Sequence, residues 1–173
     1  MVKISSHLMV RSLFLIIILS LQQANAAEDP AAAIYHEALS DTRAYGRGVA
    51  AALRGSGNRK LVRTEPNLHD KDKINEIYVE YLPGIEIYWL RTHWSGPDKE
   101  LLQSVIINRR GDLSGHTIGS ATKQSIKNRY GRPVKETTST LTYHVPSMIG
   151  ADILMFGFQG DILKQVEWRW HID

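Results

Sequence analysis

The 173 residues contain no cysteine. That absence excludes disulfide staples, a thiol nucleophile and the acylated cysteine of a lipoprotein. A membrane-spanning run is missing too: the apolar stretch at 13–21 is about nine residues long, against the roughly 20 needed to cross a bilayer. No Gly-x-Ser-x-Gly elbow, phosphate-cradling glycine loop or zinc-protease helix motif occurs. Charge of one sign is scarce. The formal net charge is +3, and Lys3 and Arg11 are the only charged side chains of residues 1–26, so the remainder carries about +1. A nucleic-acid partner held by a broad positive field is therefore not expected.

The first 26 residues have the layout of a secretory signal. Lys3 and Arg11 form a charged start, 13–21 an apolar core, and Ala24-Asn25-Ala26 a small-residue cleavage motif. The alternative is an uncleaved anchor. Cleavage after Ala26 or Ala27 would leave one ordinary domain's length, enough to bury a core without staples. The expectation is export, to the periplasm or beyond, with no stable membrane anchor after cleavage.

The C-terminal third is the most legible part. Residues 153–158 are apolar or small, Gln159-Gly160-Asp161 can turn tightly, and the chain then returns with period two. Ile162, Val166, Trp168 and Trp170 are expected on one face. Leu163, Gln165, Glu167, Arg169 and His171 are expected on the other. Upstream, Ser120 or Thr122 can cap a short helix at 123–130, which Gly131 and Pro133 end. Residues 134–145 read as one strand or two.

Earlier in the chain, Asp29-Pro30 opens a helix over 31–39, and Ser40-Asp41-Thr42 is expected to break it. A weaker helix follows at 45–53, carrying Gly46 and Gly48. Strands are expected at 60–65, 77–82, 85–91 and 101–107, with a polar loop at 66–73 and turns at Pro83-Gly84 and 94–98. The stretches 100–105 and 161–166 align without gaps, and each half pairs a glycine-flanked helix with a meander. This pattern suggests a duplication of about 60 residues with a seam at 111–115. Chance likeness of two meanders is the alternative.

Ile118-Gly119-Ser120, the helix, Tyr130-Gly131-Arg132-Pro133, Tyr143 and the Phe156-Gly157-Phe158…Gly160…Leu163…Val166 hairpin together form a pattern over about 55 residues. It resembles the β-lactamase-inhibitory-protein-like superfamily, which includes small outer-membrane lipoproteins of the SmpA/OmlA type. The resemblance implies two α+β units sharing one antiparallel sheet, whose open face binds protein. The inhibitors carry disulfides and the lipoproteins an acylated cysteine; this chain has neither.

Candidate chemistry is sparse. His69-Asp70-Lys71-Asp72 could offer hard metal ligands, or be a solvated loop. Ser114 and His116 pair a hydroxyl with an imidazole, although near neighbours in sequence rarely form a catalytic pair. His171 and Asp173 read as solvated. Among the aromatics, Trp89, Trp168 and Trp170 read as core, whereas Tyr78, Tyr88 and Trp94 read as outward, where Tyr and Trp mark binding hot spots. Leu90, Leu102, Ile106 and Leu163 would share that outward face. Either both faces are covered or the assignment slips by one residue.

The expected fold is therefore α+β, with two similar helix-plus-antiparallel-meander units sharing one sheet and the helices packed on one face. Its divisions are a signal peptide at 1–26, an N-terminal helix at 27–44, a first unit at 45–111 and a second at 112–173. The expected function is an exported, non-enzymatic protein-binding module of the cell envelope, of the inhibitor or immunity-partner kind, contacting its partner through Tyr78, Glu80, Tyr88, Gln165, Glu167 and Arg169. No cofactor, metal or nucleic acid is expected. The competing readings are an envelope carrier with a small ligand between helices and sheet, and a hydrolase with an unrecognised site.

Overall fold

A computed structural model describes residues 30–67, 69–93, 97–113, 115–147 and 150–172. The expected signal peptide at 1–26 and the turn around Trp94 lie outside the described residues. Residues 35–173 cluster as one compact unit; residues 1–34 cluster separately, and only their last five, 30–34, are described. Among the described residues the fold is α+β, with two helices and a large antiparallel sheet.

Helix α1 runs unbroken over Pro30–Leu53. The expected break at 40–42 does not occur, because Thr42 is buried and its hydroxyl bonds the Tyr130 hydroxyl at 2.8 Å. The helix therefore crosses the expected boundary between residues 44 and 45. Leu39, Thr42, Gly46, Val49, Ala50 and Leu53 recur at three- and four-residue spacing and form its inward stripe. Gly46 weakens the helix locally but has a packing purpose. A Cβ there would sit 2.8 Å from Cδ2 of Trp168, so only glycine lets the indole lie against the backbone.

Four strands follow: β1 (Asn58–Pro66), β2 (Ile74–Leu82), β3 (Ile85–Thr92) and β4 (Lys99–Ile107). The expected seam is itself structured, as a small hairpin of β5 (Gly111–Leu113) and β6 (His116–Ile118). Helix α2 (Lys123–Tyr130) comes next, then β7 (Lys135–Glu136), β8 (Thr140–Ser147), β9 (Gly150–Gln159) and β10 (Ile162–Arg169). Thr122 caps α2 through a reciprocal box with Ser125, and Gly131, at φ 73°, closes it with an N–H bond to the Lys127 carbonyl. The large sheet has the order β1-β2-β3-β4-β10-β9-β8-β7, every neighbouring pair antiparallel.

Residues directly opposite in an antiparallel pair share a face, so the registers separate the two faces. One face is the core: Ile85, Ile87, Trp89, Val105, Ile107, Leu141, Tyr143, Leu154, Phe156, Val166 and Trp168 cluster with Leu39 and Ala50 of α1 and Ile126 and Tyr130 of α2. Bulges shift several expected positions. An extra residue at Lys164 leaves Leu163 opposite Phe158 and Val166 opposite Phe156, so Leu163 faces the core, contrary to strict alternation. A shift between Tyr88 and Trp89 likewise places Leu102 opposite Trp89, against the core. Leu90 and Ile106 do occupy the other face.

Candidate functional site

The face opposite the core is not a plain wet surface. Register places Ile77, Val79, Tyr88, Leu90, Ser104, Ile106, Glu167 and Arg169 on it. Ile77 and Val79 are almost fully buried there. A hollow of about 430 Å3 lies on this side, lined by Arg63, Tyr88, Gln103, Ser104, Ile106, Glu167 and Arg169. Arg63 belongs to β1 and Arg169 to β10, four strand steps apart in the sheet order. In a flat sheet that is roughly 19 Å, at about 4.8 Å per step. The hollow touches both strands, so this face is locally concave between Arg63 and Arg169.

Three residues expected at the site meet in the hollow: Tyr88, Glu167 and Arg169. Gln165 shares their face, half-buried opposite Gly157 and away from the hollow's lining. Tyr78 and Glu80 do not join them. Their partners across the strand pair, Trp89 and Ile87, face the core, so both lie on the core side. Tyr78 is held there by Arg59 and Arg91, whose guanidiniums lie 4.5 and 4.8 Å from its ring centroid, and its hydroxyl donates to Glu76 at 2.8 Å. Glu80, 1% exposed, accepts the Gly57 N–H at 2.8 Å. Both are absorbed by the fold's own polar needs. The inversion arises because Ile77 and Val79, the apolar half of β2, serve the concave side.

The chemistry of the hollow is amphipathic. Ile106 gives an apolar patch. Glu167, 7% exposed, accepts from its own neighbour Arg169, whose Nη2 lies 2.5 Å and Nε 3.2 Å from Oε1. The Tyr88 hydroxyl donates to Glu86 at 2.7 Å, and burial with that carboxylate pushes its pKa up to about 12. Tyr88 thus stays a neutral donor at any physiological pH. Arg63, at the rim, approaches Glu65 at 3.4 Å. The sequence reading missed Arg63, Gln103 and Ser104. The bulge between Leu61 and Arg63 obscures the alternation that would have aimed Arg63 at this face.

The other candidates are dispersed. In the 67–73 loop, the Asn67 side chain accepts the N–H groups of His69 and Asp70 at 2.8 and 3.1 Å, which fixes a polar turn. Among the described residues no group of three His, Asp or Glu side chains is placed to hold a metal ion. Ser114 lies outside the described residues. His116 is buried against Tyr130 and Phe156, with ring centroids at 5.3 and 6.3 Å; burial, and then the Arg129 charge, push its pKa down to about 4. His171 is exposed, and its backbone N–H donates to the buried Asp152 carboxylate at 2.9 Å. No described helix is long and apolar enough to cross a membrane. Comparison with protein-family models, curated proteins and solved structures finds no match.

Proposed function

We propose that the chain is an exported protein-binding module of the cell envelope rather than an enzyme, and that the concave face of the sheet receives a convex loop of its partner. The observation that carries this reading is the hollow itself, where an amphipathic tyrosine, an apolar floor at Ile106 and the Glu167–Arg169 pair converge between β1 and β10. Tyrosine and arginine in a concave, partly desolvated site are the residue types that dominate binding energy at protein interfaces. The ionisable groups of the hollow, Arg63, Tyr88, Glu167 and Arg169, each already have a partner on the same face, an arrangement suited to orienting a ligand and poorly suited to moving a proton. The signal-like residues 1–26 support export, and the glycine-and-aromatic pattern of 118–166 supports a place beside the inhibitor and lipoprotein folds it resembles.

In this reading the chain is two similar units, α1 with β1–β4 and α2 with β7–β10, both helices covering the core face. The sheet order supports it, because it runs outward through each meander in mirror fashion from the β4–β10 junction. The partner reading is tested by placing a photocrosslinking amino acid at Tyr88, with a second at Gly48 on the exposed side of α1 as control. Envelope extract should give a discrete adduct from position 88 and none from 48. Y88A/R169A should keep the circular dichroism melt and weaken capture of that same protein by about tenfold or more, the loss of two hot-spot contacts. Equal labelling from both positions, or an intact double variant that captures undiminished, overturns the proposal.

A further inference from the structure

The small hairpin β5–β6 is built differently from the rest of the fold. Its arms are three residues each, and it pairs with no strand of the large sheet. A two-stranded hairpin has little stability of its own. Backbone ties it at its base, where the Gly119 N–H, just beyond β6, donates to the Leu163 carbonyl at 2.8 Å. Its arms are held by three buried side chains, Leu113, His116 and Ile118. On the opposite face of the hairpin the Thr117 hydroxyl donates to the Asp112 carboxylate, so that acid is turned away from His116.

Of the three anchors only His116 titrates. Its ring lies against Tyr130 of α2 and Phe156 of β9, and its Nε2 is buried with no hydrogen-bond partner. The Tyr130 hydroxyl is engaged with Thr42 of α1, and Phe156 is uncharged. The charge beside the imidazole is a cation. The Arg129 guanidinium lies over the hairpin at Gly115, 2.8 Å from where a Cβ would stand, and has no carboxylate within 4.0 Å among the described residues. A neutral imidazole fits this place as one more ring. An imidazolium would carry a desolvated charge and an unsatisfied N–H into the aromatic cluster, with an arginine for a neighbour. Lifting the hairpin relieves that cost without breaking any ladder of the large sheet.

We propose that β5–β6 is an acid-opened flap: protonation of His116 drives it off Tyr130 and Phe156 about its base, while the large sheet stays folded. The device does not depend on the partner reading, which concerns the other face of the sheet. Native-state hydrogen exchange in a urea series, at pH 7 and pH 4.5 and corrected for intrinsic rates, tests it. Amides of 112–118 should open about fiftyfold more often at pH 4.5, the ratio for an imidazole with pKa about 4 when closed and 6.5 when open. That opening should depend only slightly on urea, whereas β9 amides in the same sample report global unfolding with its full urea dependence. H116F should make the hairpin's opening independent of pH. A pH titration of the wild-type imidazole by nuclear magnetic resonance needs no variant, and should give His116 a midpoint well below 6. Hairpin amides that share the opening energy and urea dependence of β9 at pH 4.5, a pH effect that persists in H116F, or an imidazole midpoint near 6.5 would overturn the proposal.

Discussion

Helix α1 contains two glycines one half-turn apart, and the same substitution at each should have opposite effects. Replacing glycine by alanine inside a helix gains about 1 kcal/mol from backbone entropy and propensity. At Gly48 nothing lies within 4 Å of the new methyl, so the gain is unopposed and G48A should stabilise by about 0.5–1 kcal/mol. At Gly46 the methyl meets Cδ2, Cγ and Cδ1 of Trp168 at 2.8, 2.9 and 3.2 Å. That ring is 2% exposed and packed into the core, so it has little room to yield. Overpacking of this kind costs about 1–3 kcal/mol. Because propensity cancels between the two variants, G46A should be less stable than G48A by about 1–3 kcal/mol, the cost of the clash alone. Guanidinium denaturation followed by far-ultraviolet circular dichroism measures both, provided the slopes agree. Adding W168F should narrow the gap, since the smaller ring makes room and the indole N–H it removes is buried without an acceptor. If G46A proves as stable as G48A, the docking of α1 on Trp168 is wrong.

Two titrations give further predictions. The His116 imidazole has a folded pKa of about 4, against an ordinary 6.5. The unfolded chain therefore takes up its proton first, and stability present above pH 6.5 should fall as pH drops towards 4. The total is about 3 kcal/mol at 1.36 kcal/mol per unit; denaturation midpoints from pH 7 to 4 should show this slope, and His116→Phe should flatten it. Glu100 behaves with the sign of a paired acid. Hydrogen bonds from Arg59 and Arg54 hold its carboxyl at about 2, so its contribution is complete above pH 4.5 and lost on the way down to 2. Glu100→Gln should cost about 1–3 kcal/mol at pH 7, as expected for charge-assisted bonds, and the two proteins should converge in stability near pH 2.

Local chemistry made much of this fold readable. Thr122, Ser125 and Gly131 specify α2 through caps, and the Gln159-Gly160-Asp161 turn specifies the β9–β10 hairpin, with Gly160 at φ 61°. What escaped was set by distant partners. Gly46 reads as a helix breaker until Trp168, 122 residues later in sequence, is seen to need its bare backbone. Strict alternation fails at three bulges, near Val62, Gln103 and Lys164, and each reassigns side chains between faces. The candidate site suffered in the same way. Tyr88, Glu167 and Arg169 lie on the face expected of them because β3 and the end of β10 alternate cleanly. Tyr78 and Glu80 were misassigned because the polar side of β2 faces Arg59, Arg91 and the Gly57 amide within the protein.

Six of the seven strand pairs in the large sheet join elements that follow one another directly; only β4 with β10 does not. That junction, residues 104–107 against 166–169, comprises four residue pairs. Of the eight strands in this sheet, the one made after all the others is thus the one that fills the centre. Until it arrives, β4 and β9 each present a bare edge with unpaired amides, the state most prone to sticking to a neighbouring chain. Closing the junction means joining segments about 60 residues apart, a slow, non-local step after fast hairpin formation. A nascent chain halted before residue 162 would hold two open borders, and its protection during synthesis would depend on keeping them apart.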